Sequence, residues 1–548
     1  MCQGNNQTYK WEKVQDKKTK KSPNKFNPIT GVMNCSLTCS STPFEFFSLI
    51  FTPELMENIR KWTDKRAKEK INNTIRRKQK KCLWRELTLT EMKTFVGSLL
   101  TMGIVKLPNL RMYWNTQTRL FANSGIHDII TFQRFQDIYS CLCLRDPAFD
   151  SDDKLCKIEP LQMSIIFNSQ FYYRPQQFLS LDESMIPFLG RSSLKVFMPL
   201  KPVKYGLKAY VLCESTTGFV VNWCLHTGRK KNKENSAIYN IVMRLVDGCE
   251  GEDYTLFMDR YYSTLRLFID LKDIQIRAYG TIQSKRLHLD DKTSKEIDKI
   301  KDNEIKYFSG PSKLLLSVFK DHKTVLVLSN YHQPENLDKE RRIRKKNYNE
   351  NTKPNAKEIV KMPRSIIDYN LYMRGVDNFD QLISYYCPNI RSKRWYVKVF
   401  FHFLEIAIVN SYTIYKSICE SQSAKIMSHL EFRKEIIRVL VSDVRQDKEI
   451  PSTPKKINRF RSGSLCEGTE EVKENTVTEE RKTTKKNVDK STAKKKTPEK
   501  GNGKVDEPTL KKTKTSSSND EKSKAKITIN LSTTKKTLVF GNNTMSKF

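Results

Sequence analysis

From about residue 41 to 174 the apolar positions recur at helical spacing. Ser41-Thr42-Pro43 gives a start signal ahead of PFEFFSLIF, and after Thr52-Pro53 the run ELMENIRKWTDKRAKEK keeps a helical period. LTLTEMKTFVGSLLTMGIV reads as a second helix, capped at Thr90 and ending near Gly103, and ITFQRFQDIYSCLCL as a third. DPAFDSDDK reads as a solvated loop. Near residue 175 the pattern turns strand-like. QQFLSLDESMIPF opens this region, and LKAYVLCESTTGFVVNWCLHTG reads as a hairpin around Ser215-Thr216-Thr217-Gly218. A helix over NSAIYNIVMRLVDG, a strand at YTLFMD, a helix over STLRLFIDLKDI and a strand at IRAYGTI follow. Three strands, helix, strand, helix, strand is an α/β order.

Residues 285–362 turn polar and basic around one further hairpin, SKLLLSVFKDHKTVLVLSNY, with its turn near Asp321-His322, and read as a β-containing insertion. Helices resume with MRGVDNFDQLISYY and RWYVKVFFHFLEIAIVNSYTIYKSI. The second carries His402, Glu405 and Asn410 within its apolar run, so it reads as a buried helix, and no membrane span is expected. The expected organisation is therefore a disordered basic arm (1–40) and a helical N-terminal domain (41–174). A core in two parts (175–284 and 363–420) surrounds the insertion (285–362). A helical segment (421–450) and a disordered Lys-rich tail (451–548) complete the chain.

Charge adds a partner to this picture. The 548 residues carry a formal net charge of +37, which points to a polyanion, nucleic acid before a membrane surface. Residues 451–548 hold 24 Lys plus Arg against 12 Asp plus Glu and no Trp or Tyr, too few apolar groups to offset ordering entropy. MCQGNNQTYKWEK lacks the apolar segment of a signal peptide, so a nuclear location is expected rather than secretion. Thirteen scattered cysteines read as reduced thiols, and Cys35 and Cys39 lack a second pair at zinc-site spacing. The seven His residues show no paired spacing and read as structural.

Three aspartates stand where the local pattern breaks: Asp182 in FLSLDESMIPF, Asp259 in TLFMDRYYST and Asp377 in YNLYMRGVDNFDQ. The first two fall at or near the ends of strand-like runs. Asp377 opens a helix-like stretch on which Asp380, three positions on, shares its face. Carboxylates brought together from separate elements repel each other unless a cation lies between them. Hard divalent ions favour such oxygen donors, and two of them can activate a hydroxyl and stabilise a leaving oxygen at a phosphodiester. Taken singly, each acid fits a turn or helix cap better than a catalytic role. Glu183 competes with its neighbour but is expected on the opposite strand face. A basic series, Arg191, Lys195, Lys201, Lys204 and Lys208, follows the first acid, and Arg391, Lys393 and Arg394 precede Trp395-Tyr396. Both series are candidate DNA contacts, against a plain reading as solvated surface or, for the aromatics, helix packing. Arg341, Arg342, Arg344, Lys345 and Lys346 read as a DNA contact or nuclear signal.

The block LDESMIPFLGRSSLKVFMPLKPVKYGLKAYVLCES resembles the first catalytic block of piggyBac transposases and their host-domesticated relatives, with Asp182-Glu183, Gly190-Arg191, Lys201-Pro202 and Lys204-Tyr205-Gly206-Leu207-Lys208 in that order. MDRYYSTLRL is similar to the second block, YNLYMRGVDNFDQ to the third, and RSKRWYVKVFFHFLEIAIVNSYTIY to the long helix after it. TPFEFFSLIFTPELMENI and LTLTEMKTFVGSLLTMGIVKLPNLRMYW resemble the family's helical N-terminal domain, so the resemblance runs over roughly residues 42 to 416. It implies an RNase H-like core interrupted by an insertion, and a catalytic triad at Asp182, Asp259 and Asp377 with Asp380 as a fourth acid. It also implies two Mg²⁺ ions (Mn²⁺ as a substitute), duplex DNA with terminal inverted repeats, TTAA target sites, and a homodimer. A first hydrolytic cut, a hairpin formed by the freed 3′-hydroxyl and attack on target DNA would follow. The sequence departs from the family in having no His after His429 and only Cys466 among later thiols, so no structural zinc is expected at that end. Gln283 stands where the family often has Arg, and Phe319 where a Trp is common. Two other readings stay open: a catalytically silent, domesticated nuclear DNA-binding or chromatin-associated protein, and an RNA-binding protein with a basic tail.

Overall fold

The computed structural model describes residues 8–15, 26, 28–76, 84–115, 124–149, 151, 153–199, 201–228, 237–342 and 357–445. The chain divides after Lys455 into two units, and all of the second, like the whole of the expected Lys-rich tail, lies outside the described residues. Arg344, Lys345 and Lys346 do so too.

Two short strands come first, β1 (Glu12–Val14) and β2 (Gly31–Val32). They fall where a disordered arm was expected. The anchor is Trp11, buried against Gly310, where a Cβ would stand 2.5 Å from the indole. Helices follow: α1 (Pro43–Ile50), α2 (Pro53–Arg76), α3 (Leu89–Ile104), α4 (Ser124–His127), α5 (Phe132–Cys141) and α6 (Glu159–Tyr172). Capping boxes start α1 (Thr42 with Glu45) and α3 (Thr88 with Glu91). The cap of α3 is thus Thr88 and not Thr90, because the glutamate that closes the box stands three residues after Thr88. Helix α6 was not foreseen. Its apolar residues lie on both faces, with Leu161 and Ile165 buried but Met163 and Phe167 each 65% exposed, which blurs the amphipathic period.

The next stretch is β3 (Tyr173–Arg174), β4 (Phe178–Pro187), β5 (Lys195–Phe197), β6 (Tyr205–Glu214), β7 (Val220–Leu225), α7 (Ala237–Leu245), β8 (Thr255–Met258), α8 (Leu265–Asp273) and β9 (Arg277–Thr281). After it come α9 (Asp291–Asp298), β10 (Ile305–Ser309), β11 (Leu315–Lys320), β12 (Thr324–Ser329), and the hairpin β13 (Asn336–Arg342) and β14 (Lys357–Pro363). Four helices close the described chain: α10 (Arg364–Tyr372), α11 (Gly375–Tyr386), α12 (Trp395–Ser421) and α13 (His429–Arg445). The fold is mixed α/β around one ten-stranded sheet in the order β1-β10-β11-β12-β9-β8-β4-β6-β5, with β7 also on β6. Among the described strands only β4–β8 and β8–β9 pair in parallel. Three strands of the 285–362 stretch do not stand apart: β12 pairs with β9, so β10, β11 and β12 extend the same sheet, while β13 and β14 pair only with each other.

Helix α12 is the hub of the core. By length and apolar content it would pass as a membrane span, yet it is buried on nearly every side and packs on α1, α6, α11 and α13. Its His402, Glu405 and Asn410 each answer a buried need. Asn410 accepts the Val220 N–H and donates to the Val220 carbonyl, both at 2.9 Å, holding β7. Burial lowers His402 to about 3, so it is neutral and accepts the Trp223 indole N–H at 3.3 Å. Glu405 forms a two-pronged ion pair with Arg433 of α13, both side chains fully buried. Removing one partner of such a pair strands the other charge. Arg433→Met should lower unfolding free energy by about 3–5 kcal/mol in chemical denaturation. Glu405→Leu/Arg433→Met should recover most of it; a single variant as stable as the wild type would contradict this account of the α12–α13 clamp.

Candidate active site

The parallel register brings two of the three aspartates side by side. The last β4–β8 pair is Leu181 with Met258, so Asp182 and Asp259 are each the next residue on adjacent strands. Parallel neighbours lie about 4.8 Å apart. On the far side of β8, Met258 pairs with Gly280, and the following Thr281 donates its hydroxyl to Asp259 Oδ1 at 3.1 Å. The backbone N–H of Arg260 also donates to that oxygen, at 2.6 Å. The site therefore lies at the carboxyl ends of the parallel strands, where the chain leaves the sheet and a crevice opens.

Helix α11 lays the remaining acids over the same strand face. Ser180, Asp182 and Ser184 alternate onto one side of β4. Gly375 sits against Ser180, with space for no Cβ: one would be 2.3 Å from the Ser180 hydroxyl and 2.8 Å from the Glu214 carbonyl. Further along, Ser184 donates to Asp380 Oδ1 at 2.5 Å. Asp377 is exposed in the first turn of α11, where the helix dipole also favours an acid.

Lys201 lies among these carboxylates. Its ammonium donates to the Glu183 carbonyl at 3.0 Å and stands 3.6 Å from Asp182 Oδ2. Burial alone would lower its pKa, but the charges of Asp182, Glu183, Asp380 and Asp377 outweigh burial and raise it. Burial first, then the adjoining Glu183 carboxyl, push Asp182 up to about 7. Burial raises Asp380 to about 6 against the opposing pull of Ser184 and Lys201. For Glu183 burial is overcome by Asp182 and by Lys208, 2.9 Å away, and its pKa falls. Of the two neighbours, Glu183 keeps the charge and Asp182 holds the proton more readily. Tyr369 of α10, unforeseen in the sequence, faces the same crevice. Burial pushes its hydroxyl up to about 12, with Asp259 and Asp182 adding to the rise against a hydrogen bond with Thr281.

The basic residues divide into two sets. Arg191, Lys204, Arg391 and Lys393 are exposed, and Gly190 packs against the Lys393 carbonyl, which sets Arg191 beside Lys393. Lys195 is half-buried beside the Tyr205 ring. Lys208 and Arg394, expected at a DNA surface, are instead taken up by internal partners. Lys208 is buried between Tyr210 and Tyr261 and pairs with Glu183. Arg394 donates to the carbonyls of Tyr139, Ser140 and Leu142 and lies over Tyr139 and Tyr396. Tyr396 is accordingly a packing residue, and Arg341 pairs with Glu358 and Asp321.

Among the described residues no three His, Cys, Asp or Glu side chains stand close enough to hold an ion as they are. By donor chemistry the fit is nonetheless good for a hard divalent ion: the charged groups acting on the Lys201 ammonium are all carboxylates, and its hydrogen-bond acceptor is a carbonyl oxygen.

Residues 42–412, more than half of the chain, match the family model described as Transposase IS4. The human PiggyBac transposable element-derived protein 3 is 25% identical over 422 residues, covering 75% of this chain and 66% of that protein. The human PiggyBac transposable element-derived protein 2 is 25% identical over 378 residues, covering 67% of this chain and 61% of that protein. The chain thus spans just under two thirds of these relatives. A piggyBac transposase, solved as a synaptic complex with hairpin DNA, superposes with a TM-score of 0.64 at 22% identity over 78% of this chain and 85% of that one. The chain belongs to the transposase family of piggyBac type.

The raised Asp182 carboxyl has a consequence for stability. Because its folded-state pKa lies above the unfolded value, its contribution is full below 3.8 and lost as pH rises through about 7. In metal-free buffer Asp182→Asn should therefore gain stability over the wild type as pH rises through that window. A stability difference that stays constant across it would contradict the raised carboxyl.

Proposed function

We propose that the chain is a DNA transposase with an RNase H-like core, cutting and joining DNA ends at a carboxylate centre of Asp182, Asp259 and Asp377, with Asp380 beside them. The observation that carries this reading is the register of β4 and β8, which makes Asp182 and Asp259 neighbours, with α11 crossing their face. In it, Asp182, Asp259 and Asp377 would hold Mg²⁺, with Mn²⁺ as a substitute. When bound, such ions supply activation of the attacking hydroxyl and stabilisation of the leaving oxygen.

The chain's own residues do the rest. Ser184 positions Asp380, and Thr281 with the Arg260 N–H positions Asp259. The Lys208–Glu183 pair props the strand beneath Asp182. Arg191, Lys204, Arg391 and Lys393 present exposed cations to phosphates, with Lys195 beside them. Water and then a 3′-hydroxyl would be the successive nucleophiles, through a hairpin end, at terminal inverted repeats and TTAA targets. The solved relative is a synaptic complex with hairpin DNA, which supports this order and the pairing of two copies on two ends. The helices before residue 174 would take part in that pairing, and the whole would act in the nucleus.

The test is cleavage of a terminal-repeat duplex with Mg²⁺. Asp182→Asn should lose nicking by at least about 10³-fold while duplex binding stays salt-sensitive and within twofold of the wild type (an approximate bound,). Full activity in that variant sinks the site assignment. Binding without cleavage by the wild type would point to the silent, domesticated reading.

A further inference from the structure

The position of Lys201 suggests a role beyond touching DNA. It belongs to the loop between β5 and β6, which is closed by the Met198 N–H donating to the Lys204 carbonyl at 2.8 Å. From there its side chain, 27% exposed, reaches the Glu183 carbonyl of β4. Among the described residues its ammonium is the cation that pairs with Asp182, and the charges of Asp377 and Asp380 on α11 act on it too. A divalent ion held by Asp182 would compete with this ammonium for that carboxylate, because like charges that close repel.

Resting on the metal-centre reading above, we propose that Lys201 is a built-in placeholder cation: it holds the acids of β4 and α11 together before loading, and a divalent ion displaces its ammonium, freeing it to meet a DNA phosphate. Three observations converge on this. The four carboxylates around Lys201 come from two elements that would otherwise repel across the crevice. Lys208, only seven residues on, is locked on Glu183 between two rings, whereas Lys201 is held on its backbone side by one carbonyl and on its carboxylate side only at 3.6 Å. One lysine is thus fixed and the other releasable. The loop of Lys201 also carries exposed Lys204, so a released ammonium would lie beside a second phosphate-facing cation.

The test is Mn²⁺ binding to the full chain without DNA, read by the loss of the free-ion paramagnetic resonance signal. Lys201→Met keeps the stem and removes the charge, so it should bind Mn²⁺ about tenfold more tightly than the wild type. Lys201→Arg, which keeps the charge, should stay within about twofold. A Lys201→Met chain that unfolds at the wild-type temperature in Mn²⁺-free buffer yet binds no more tightly overturns the proposal. Should that variant fold poorly, Lys201→Gln and the arginine variant carry the same comparison. Asp182→Asn separates the two levels. If it abolishes Mn²⁺ binding while Lys201→Met leaves affinity unchanged, only the placeholder role falls. If it leaves Mn²⁺ binding intact, the metal-centre reading falls and the placeholder with it.

Discussion

The arrangement turns on the parallel pairing of β4 and β8, which forces Asp182 and Asp259 onto neighbouring positions. Each carboxylate there has its own support. Burial and the adjoining Glu183 carboxyl let Asp182 retain its proton to higher pH, Asp259 accepts from Thr281 and a backbone N–H, and an ammonium stands beside Asp182. Helix α11 adds two more acids to the same crevice, closed onto β4 by a glycine that leaves no room for a side chain. Structural economy would remove such a concentration of like charge. Its persistence at the ends of parallel strands is what makes the crevice a candidate for cation-assisted chemistry.

Much of this was legible from local pattern. The hairpin of β6 and β7, the strands β8 and β9 and the helices α7 and α8 follow from runs of β-branched or aromatic residues and from helical spacing, which depend on near neighbours in sequence. Even the odd polar residues of α12 pointed correctly to burial, since an isolated Asn or Glu in an apolar helix needs an internal partner. What escaped was non-local. That Trp11 would seat on Gly310, turning part of the expected flexible arm into a sheet edge, depends on a surface some 300 residues away. Ser184, Thr281 and Tyr369 carry no motif that marks them; only register and helix placement bring them to the acids.

Charge shows the same limit. Counting Lys and Arg points to a polyanion as partner, but cannot tell an exposed cation from one consumed inside. Lys208 and Arg394 stand in basic clusters by sequence and serve as internal struts, while Arg191 and Lys393, far apart in the chain, are brought near each other because Gly190 packs on the Lys393 backbone. Net charge bears on association, and the fold decides which charges are available for it.

The most direct measurement of the central claim is iron-directed backbone cleavage, with Fe²⁺ replacing Mg²⁺ and ascorbate and peroxide generating radicals at the bound ion. The account predicts cuts clustered near residues 182, 259 and 377–380, all suppressed together by excess Mg²⁺. Cuts at only one of these segments, or a Mg²⁺-sensitive set elsewhere in the chain, would contradict it.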